Sequence, residues 1–102
     1  MKWQVLKFDW DELKHKANIA KHQVTFQEAK TVFDDERAIE LFDEEHSETE
    51  DRFTIVGRSS SFRELMVCHC YRGKDENIIR IISAREATKS EKDLYWRSWN
   101  ER

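Results

Sequence analysis

The sequence contains no proline, two glycines and two cysteines in 102 residues, and each scarcity removes a class of answer. With no Pro- or Gly-rich stretch, repeat or low-complexity segment there is nowhere to divide the chain, so a single domain over residues 1–102 is expected. No run approaches the ~20 apolar residues of a membrane span, and the opening MKWQVLKFDW lacks the apolar core and cleavage site of a secretory signal. A soluble, cytoplasmic protein without membrane contact is the expectation. Cys68 and Cys70 flank His69 in a strand-like run, where residues two apart share a face about 6.5–7 Å apart with parallel Cβ vectors. A disulfide would distort that backbone, and the C-x-x-C spacing of zinc sites is absent, so reduced thiols and no metal are expected. GxGxxG, P-loop, HExxH and GxSxG patterns are missing too. Nucleotide-cofactor, zincin and serine-hydrolase readings therefore have no support, and no cofactor is expected.

What the chain does have is charge and aromatic mass: 38% charged residues, four Trp and six Phe. That aromatic content argues for a packed core despite the polar average. The net charge of −3 hides a segregation, with +2 over residues 1–33, −9 over residues 34–51 and +4 over residues 52–102. Outside DDERAIELFDEEHSETED the chain is mildly basic and rich in Arg over its second half, which allows an anionic partner. A charge-rich surface that serves only solubility is the alternative.

Periodicity orders the elements. Residues 3–8 (WQVLKF) suit a first strand. An Asp cap ahead of Glu12 opens a helix near 11–21, with Leu13, Ala17 and Ala20 spaced as one apolar face. Thr25-Phe-Gln-Glu28 is a capping box opening a second helix, whose inner face would be Phe26, Ala29, Val32 and Phe33 and which Asp34-Asp35 ends. The same pattern matches Ser47–Glu50 and Ser61–Glu64, where no helical spacing follows. RAIELF, RFTIVGRS, ELMVCHCYR and NIIRIIS read as strands joined by short turns at Ser59–Ser61 and Gly73–Asp75. Thr88-Lys-Ser-Glu91 caps a last helix over about 88–99. The order β-α-α-β-β-β-β-α belongs to the α+β class, an antiparallel sheet with helices packed on one face and the other open.

On that open face polar strand residues become informative. Arg52, Thr54 and Arg58 share one side of their strand, opposite Phe53 and Ile55. Arg80 interrupts the isoleucine run IIRII and must reach solvent, a carboxylate or an anion, because burying an unpaired guanidinium costs several kcal/mol. Cleaving RNA would suit such residues without a metal: the substrate's 2′-hydroxyl attacks the adjacent phosphorus once a base takes its proton, and fixed cations stabilise the phosphorane. Arg fits the last role because its planar fork binds phosphate and stays charged.

Three blocks, FDWDELKHKANIAKHQVTFQEAKTVFDD, HSETEDRFTIVGRSSS and IRIISAREATKSEKDLYW, resemble the BrnT family of ribonuclease toxins from bacterial type II toxin–antitoxin systems, in order and spacing over about residues 8–95. The resemblance implies a RelE-like α+β fold, metal-independent endoribonuclease activity that arrests translation, and neutralisation by a BrnA-like ribbon-helix-helix antitoxin, with DNA met only through the toxin–antitoxin complex. Carried over position by position, it implies Lys21, Glu50, Arg58, Arg80 and Arg85 as catalytic residues, and His22, Arg52 and Tyr95 as RNA contacts. Lys21 and His22 come from A-N-x-x-K-H, Glu50 and Arg52 from E-x-R-F, Arg58 from G-R-S, and Arg80 and Arg85 from I-R-I-I-S-A-R. Strict alternation puts Arg80 and Arg85 on opposite faces, so one of them should lie past the strand's end if both serve one site.

Two positions depart from the family pattern. Gln23 stands where Gly commonly follows Lys-His, and Phe62 stands where a small or polar turn residue is usual; a positive φ at the first would cost about 1 kcal/mol. The acidic stretch is expected to lie away from RNA, against a basic part of the antitoxin. The whole reading requires the arginines to converge with Lys21 on one positively charged hollow. The competing reading keeps the fold and makes the chain a non-catalytic protein- or nucleic-acid-binding module.

Overall fold

The structure is a computed structural model and describes residues 7–100. Its elements run β1 (Lys7–Asp9), α1 (Glu12–His22), α2 (Phe26–Thr31), β2 (Ile39–Phe42), β3 (Phe53–Arg58), β4 (Glu64–Arg72), β5 (Ile78–Glu86) and α3 (Lys89–Asn100), with short 3-10 turns at Val32–Asp34 and Glu44–His46. This is the α+β class in the expected order. Of the first strand expected over residues 3–8, residues 3–6 lie outside the described residues.

The sheet order is β1-β5-β4-β3-β2. β2 through β5 pair antiparallel, as hairpin-linked strands must, but β1 pairs parallel with β5. The sheet is therefore mixed rather than wholly antiparallel, because no hairpin joins β1 to β5 and so none fixes their relative direction.

One face of the sheet, through Ile55, Leu65, Val67, Ile79, Ile81 and Ala84, packs on Val24, Phe26, Ala29 and Val32 from the α1–α2 region. The other is not fully open, which corrects the expectation that the helices share one face. Val56 and Met66 leave an apolar patch there, and Tyr95 and Trp99 of α3 cover it together with Ala87. Gly57 lets the chain approach closely: a Cβ there would lie 2.8 Å from Ala38 Cβ and 2.9 Å from Val32 Cγ1.

The helix starts follow their caps. Asp11 Oδ1 accepts from the Leu13 and Lys14 N–H groups, at 2.8 and 3.1 Å. The box at Thr88 is complete, Glu91 N–H donating to Thr88 Oγ1 and Thr88 N–H to Glu91 Oε1. At Thr25 half of it forms: Thr25 Oγ1 caps Glu28 N–H, while the Glu28 carboxylate is taken by Arg63 and Ser59. A charge-assisted bond to a guanidinium outweighs a neutral N–H.

The buried face of α1 is not the one that apolar spacing picks. Leu13 is 78% exposed, and the residues turned inward are His15 and Asn18. Asn18 Nδ2 donates to the Val24 and Ala84 carbonyls, both at 2.9 Å, and its Oδ1 accepts the Ala84 N–H at 3.0 Å. His15 stacks on Phe26 at 4.9 Å. The hydrogen-bonded Asn18 and the stacked ring of His15, whose buried Nε2 has no hydrogen-bond partner among the described residues, dock this helix, so its polarity is no guide to its inner side.

Candidate functional site

Beyond the patch under α3, the second face of the sheet is a shallow floor of Thr54, Cys68, Cys70 and Ser83, which the register sets side by side on β3, β4 and β5. Both thiols are free, and burial pushes both up from the ordinary cysteine value. Guanidinium groups stand around this floor. Arg80 lies opposite Cys70 and bonds Asp9 of β1 at 2.8 Å. Arg72, two residues beyond Cys70, grips Glu50 with Nε at 3.0 Å and Nη2 at 3.1 Å. Arg85, opposite Met66, grips Glu91 of α3 at 2.9 and 3.0 Å. Arg52 adjoins the same floor, and its charge acts on Glu50 and on the Cys68 thiol.

Arg80 and Arg85 share this face because of a bulge. Cys68 pairs with Ser83 and His69 with Ile81, which leaves Ile82 without an opposite number. One extra residue shifts the alternation by a step. Both arginines thus lie within β5 and on one side, and neither needs to sit past the strand's end.

Glu50 and Glu91 are held as ionised partners. The Arg72 guanidinium holds Glu50 below the usual glutamate range, and Arg85 does the same for Glu91.

Arg58 belongs to a separate corner. It pairs across from Glu64, six residues along β4 from Cys70, or about 20 Å. Its guanidinium lies 5.4 Å from the Phe62 ring and 5.7 Å from the Trp96 ring, and its buried Nε has no hydrogen-bond partner among the described residues. A groove of about 360 Å³ opens beside it, lined by Thr31, Asp34, Asp35, Ser59, Ser60, Phe62, Tyr95 and Trp99. Asp35 is committed, accepting the Tyr95 hydroxyl at 2.6 Å and the Arg58 N–H at 2.8 Å. Tyr95 is fully buried; burial and that bond push its phenol up to about 12. Its ring is floor rather than a stacking platform. The exposed rings are Phe62, which holds a positive φ of 64°, and Trp96.

Lys21 and His22 end α1 on the opposite side of the sheet, over the layer that holds Ala84. The single hollow expected from the sequence does not form. Arg52, Arg80 and Arg85, with Glu50, come to one face; Arg58 stands at its far end; Lys21 and His22 are behind it. Sequence reasoning missed Arg72, although the step Cys68, Cys70, Arg72 places it on the same face. Gln23 does adopt the left-handed conformation, φ 57° and ψ 35°, closing α1 where glycine would be unstrained.

Three comparisons bear on this arrangement. The family model for the ribonuclease toxin BrnT of type II toxin–antitoxin systems matches residues 10–91. A solved structure, the 1.1 Å crystal structure of the Brucella abortus ribonuclease toxin BrnT, is similar with a TM-score of 0.62 and 24% identity, covering 82% of this chain and 99% of that one. That likeness speaks to the fold. No curated protein matches the chain.

Proposed function

Since the chain belongs to the BrnT family of ribonuclease toxins of type II toxin–antitoxin systems, we propose that it is a metal-independent endoribonuclease whose working surface is the guanidinium-ringed second face of the sheet. The observation that carries this reading is the bulge at Ile82, which brings Arg80 and Arg85 to the face that holds Arg52, Arg72 and Glu50. RNA laid across the floor would meet cations from β4, from β5 and from Arg52 just ahead of β3 at once.

The ion pairs on this face are poised to exchange partners. Each is partly exposed, and such pairs contribute roughly 0–1 kcal/mol, whereas a charge-assisted bond to a phosphate oxygen is worth about 1.5–3 kcal/mol. A phosphate can therefore take Arg72 from Glu50. Freed of its guanidinium, the Glu50 carboxylate returns toward its ordinary value and becomes the stronger base. It accepts the proton of the 2′-hydroxyl, the 2′ oxygen bonds to phosphorus, and the bond to the 5′ oxygen breaks. The departing oxygen takes a proton from water, leaving a 2′,3′-cyclic phosphate. Arg80 and Arg85 neutralise the charge that builds on the phosphorane. Translation arrest follows from loss of the message, and a BrnA-like ribbon-helix-helix antitoxin is the proposed partner.

A second reading, a binding module without catalysis, is favoured by the same ion pairs, since Arg72, Arg80 and Arg85 already have carboxylate partners. One assay separates the two. Purified protein should cut RNA in EDTA, and Arg80→Ala should slow cleavage by about 100-fold or more without altering the circular dichroism. Intact RNA with a folded wild-type preparation would establish the binding module instead.

A further inference from the structure

We propose that the outer edge of β2 is where a basic, extended segment of the antitoxin pairs as an added strand. β2 ends the sheet, with β3 on one side and no strand on the other among the described residues. Natural sheet edges are usually blunted by lysine, proline or a covering loop. This one carries Ile39-Glu-Leu-Phe42, in which Leu41 is 47% and Phe42 52% exposed. An incoming strand would find an apolar side chain on each face of the sheet, Leu41 on the side of Thr54 and Phe42 on the side of Phe53.

The edge is also held in register. Glu40 Oε2 accepts from His69 Nε2 at 2.8 Å and from the Tyr71 hydroxyl, which ties β2 across β3 to β4 and leaves a template that need not order itself on binding.

Charge selects the occupant. Residues 34–51 carry ten acids and one Arg, and the exposed Glu44, Glu45 and Glu48 follow directly on β2. Nucleic acid is repelled there, and a second copy pairing edge to edge would set the same negative stretch against itself. A segment rich in Lys or Arg gains on both counts. The antitoxin as owner of that segment rests on the toxin–antitoxin reading; the chemistry of the edge does not.

The test uses the full chain and a labelled peptide of about ten residues alternating valine and lysine. Fluorescence anisotropy should show salt-sensitive binding, with slowed amide exchange over residues 39–42. Methylating alternate backbone nitrogens of the peptide, or the triple change E44K/E45K/E48K in the protein, should weaken binding by about tenfold or more. Equal binding of the methylated peptide would overturn strand pairing, and so would no binding at all. Protection of residues 39–42 that grows with protein concentration alone would give the edge to a second copy. RNA cleavage measured in the same samples keeps the two proposals apart: cleavage without peptide binding sinks this one alone, and binding without cleavage sinks the enzyme alone.

Discussion

The two faces of the sheet use polar groups in opposite ways. On the helix-covered face they are few, buried and hydrogen-bonded, as when Asn18 ties α1 to Ala84 and Val24, or His69 sits at 0% exposure between the Val67 carbonyl and Glu40. On the second face they are many, paired as ions and wet. A buried hydrogen-bonded group cannot change partner without leaving a desolvated orphan, whereas a half-exposed ion pair can. The covered face therefore specifies the fold, and the other is free to trade its partners for a ligand.

Substitutions sharpen this contrast in order of size. Ile81→Ala, at 1% exposure on the covered face, should cost about 3 kcal/mol in chemical denaturation through lost burial and a cavity. Asn18→Ala should cost about 2 kcal/mol, since the Val24 and Ala84 groups lose their buried partner; a cost as small as that of a surface residue would dissolve the comparison. The pair on the second face should matter least. Glu91 is held below the ordinary glutamate value by Arg85, so its contribution is present at neutral pH and is lost as the pH falls from the ordinary glutamate range through the lowered folded value. With both side chains partly exposed, that loss should stay within about 1 kcal/mol after screening, read as the difference between wild type and Glu91→Gln across an acid titration of stability.

Local chemistry explains what could be read from the residues. The box at Thr88 and the cap at Thr25 start helices wherever they occur before a suitable face, and an arginine inside IIRII has to reach solvent, a carboxylate or an anion, of which the structure supplies the Asp9 carboxylate. The boxes at Ser47 and Ser61 matched the pattern but lead into a turn and a strand, since no periodic face follows. What escaped depends on partners distant in sequence. The inner side of α1 is set by Ala84, sixty-six residues from Asn18. The side taken by α3 is set by Val56 and Met66 on other strands. The bulge is invisible in Ile81-Ile82 because either residue would serve in a regular strand, and only β4 decides which is left over. Of the candidate site, the arginines of β5 and the Glu50–Arg52 element were legible from the family blocks, while the separation of Lys21 from them needed the layers in place.

The unpaired residue at Ile82 makes the length of β5 carry information that its letters do not. Drawing Ile82 into the ladder opposite Cys68 would turn Ser83, Ala84, Arg85 and Glu86 over together, sending a cation into the greasy interior and an alanine to the other face, whereas excising it would leave every existing pair in place. Such a segment tolerates spelling changes among aliphatics far better than a slip in its register.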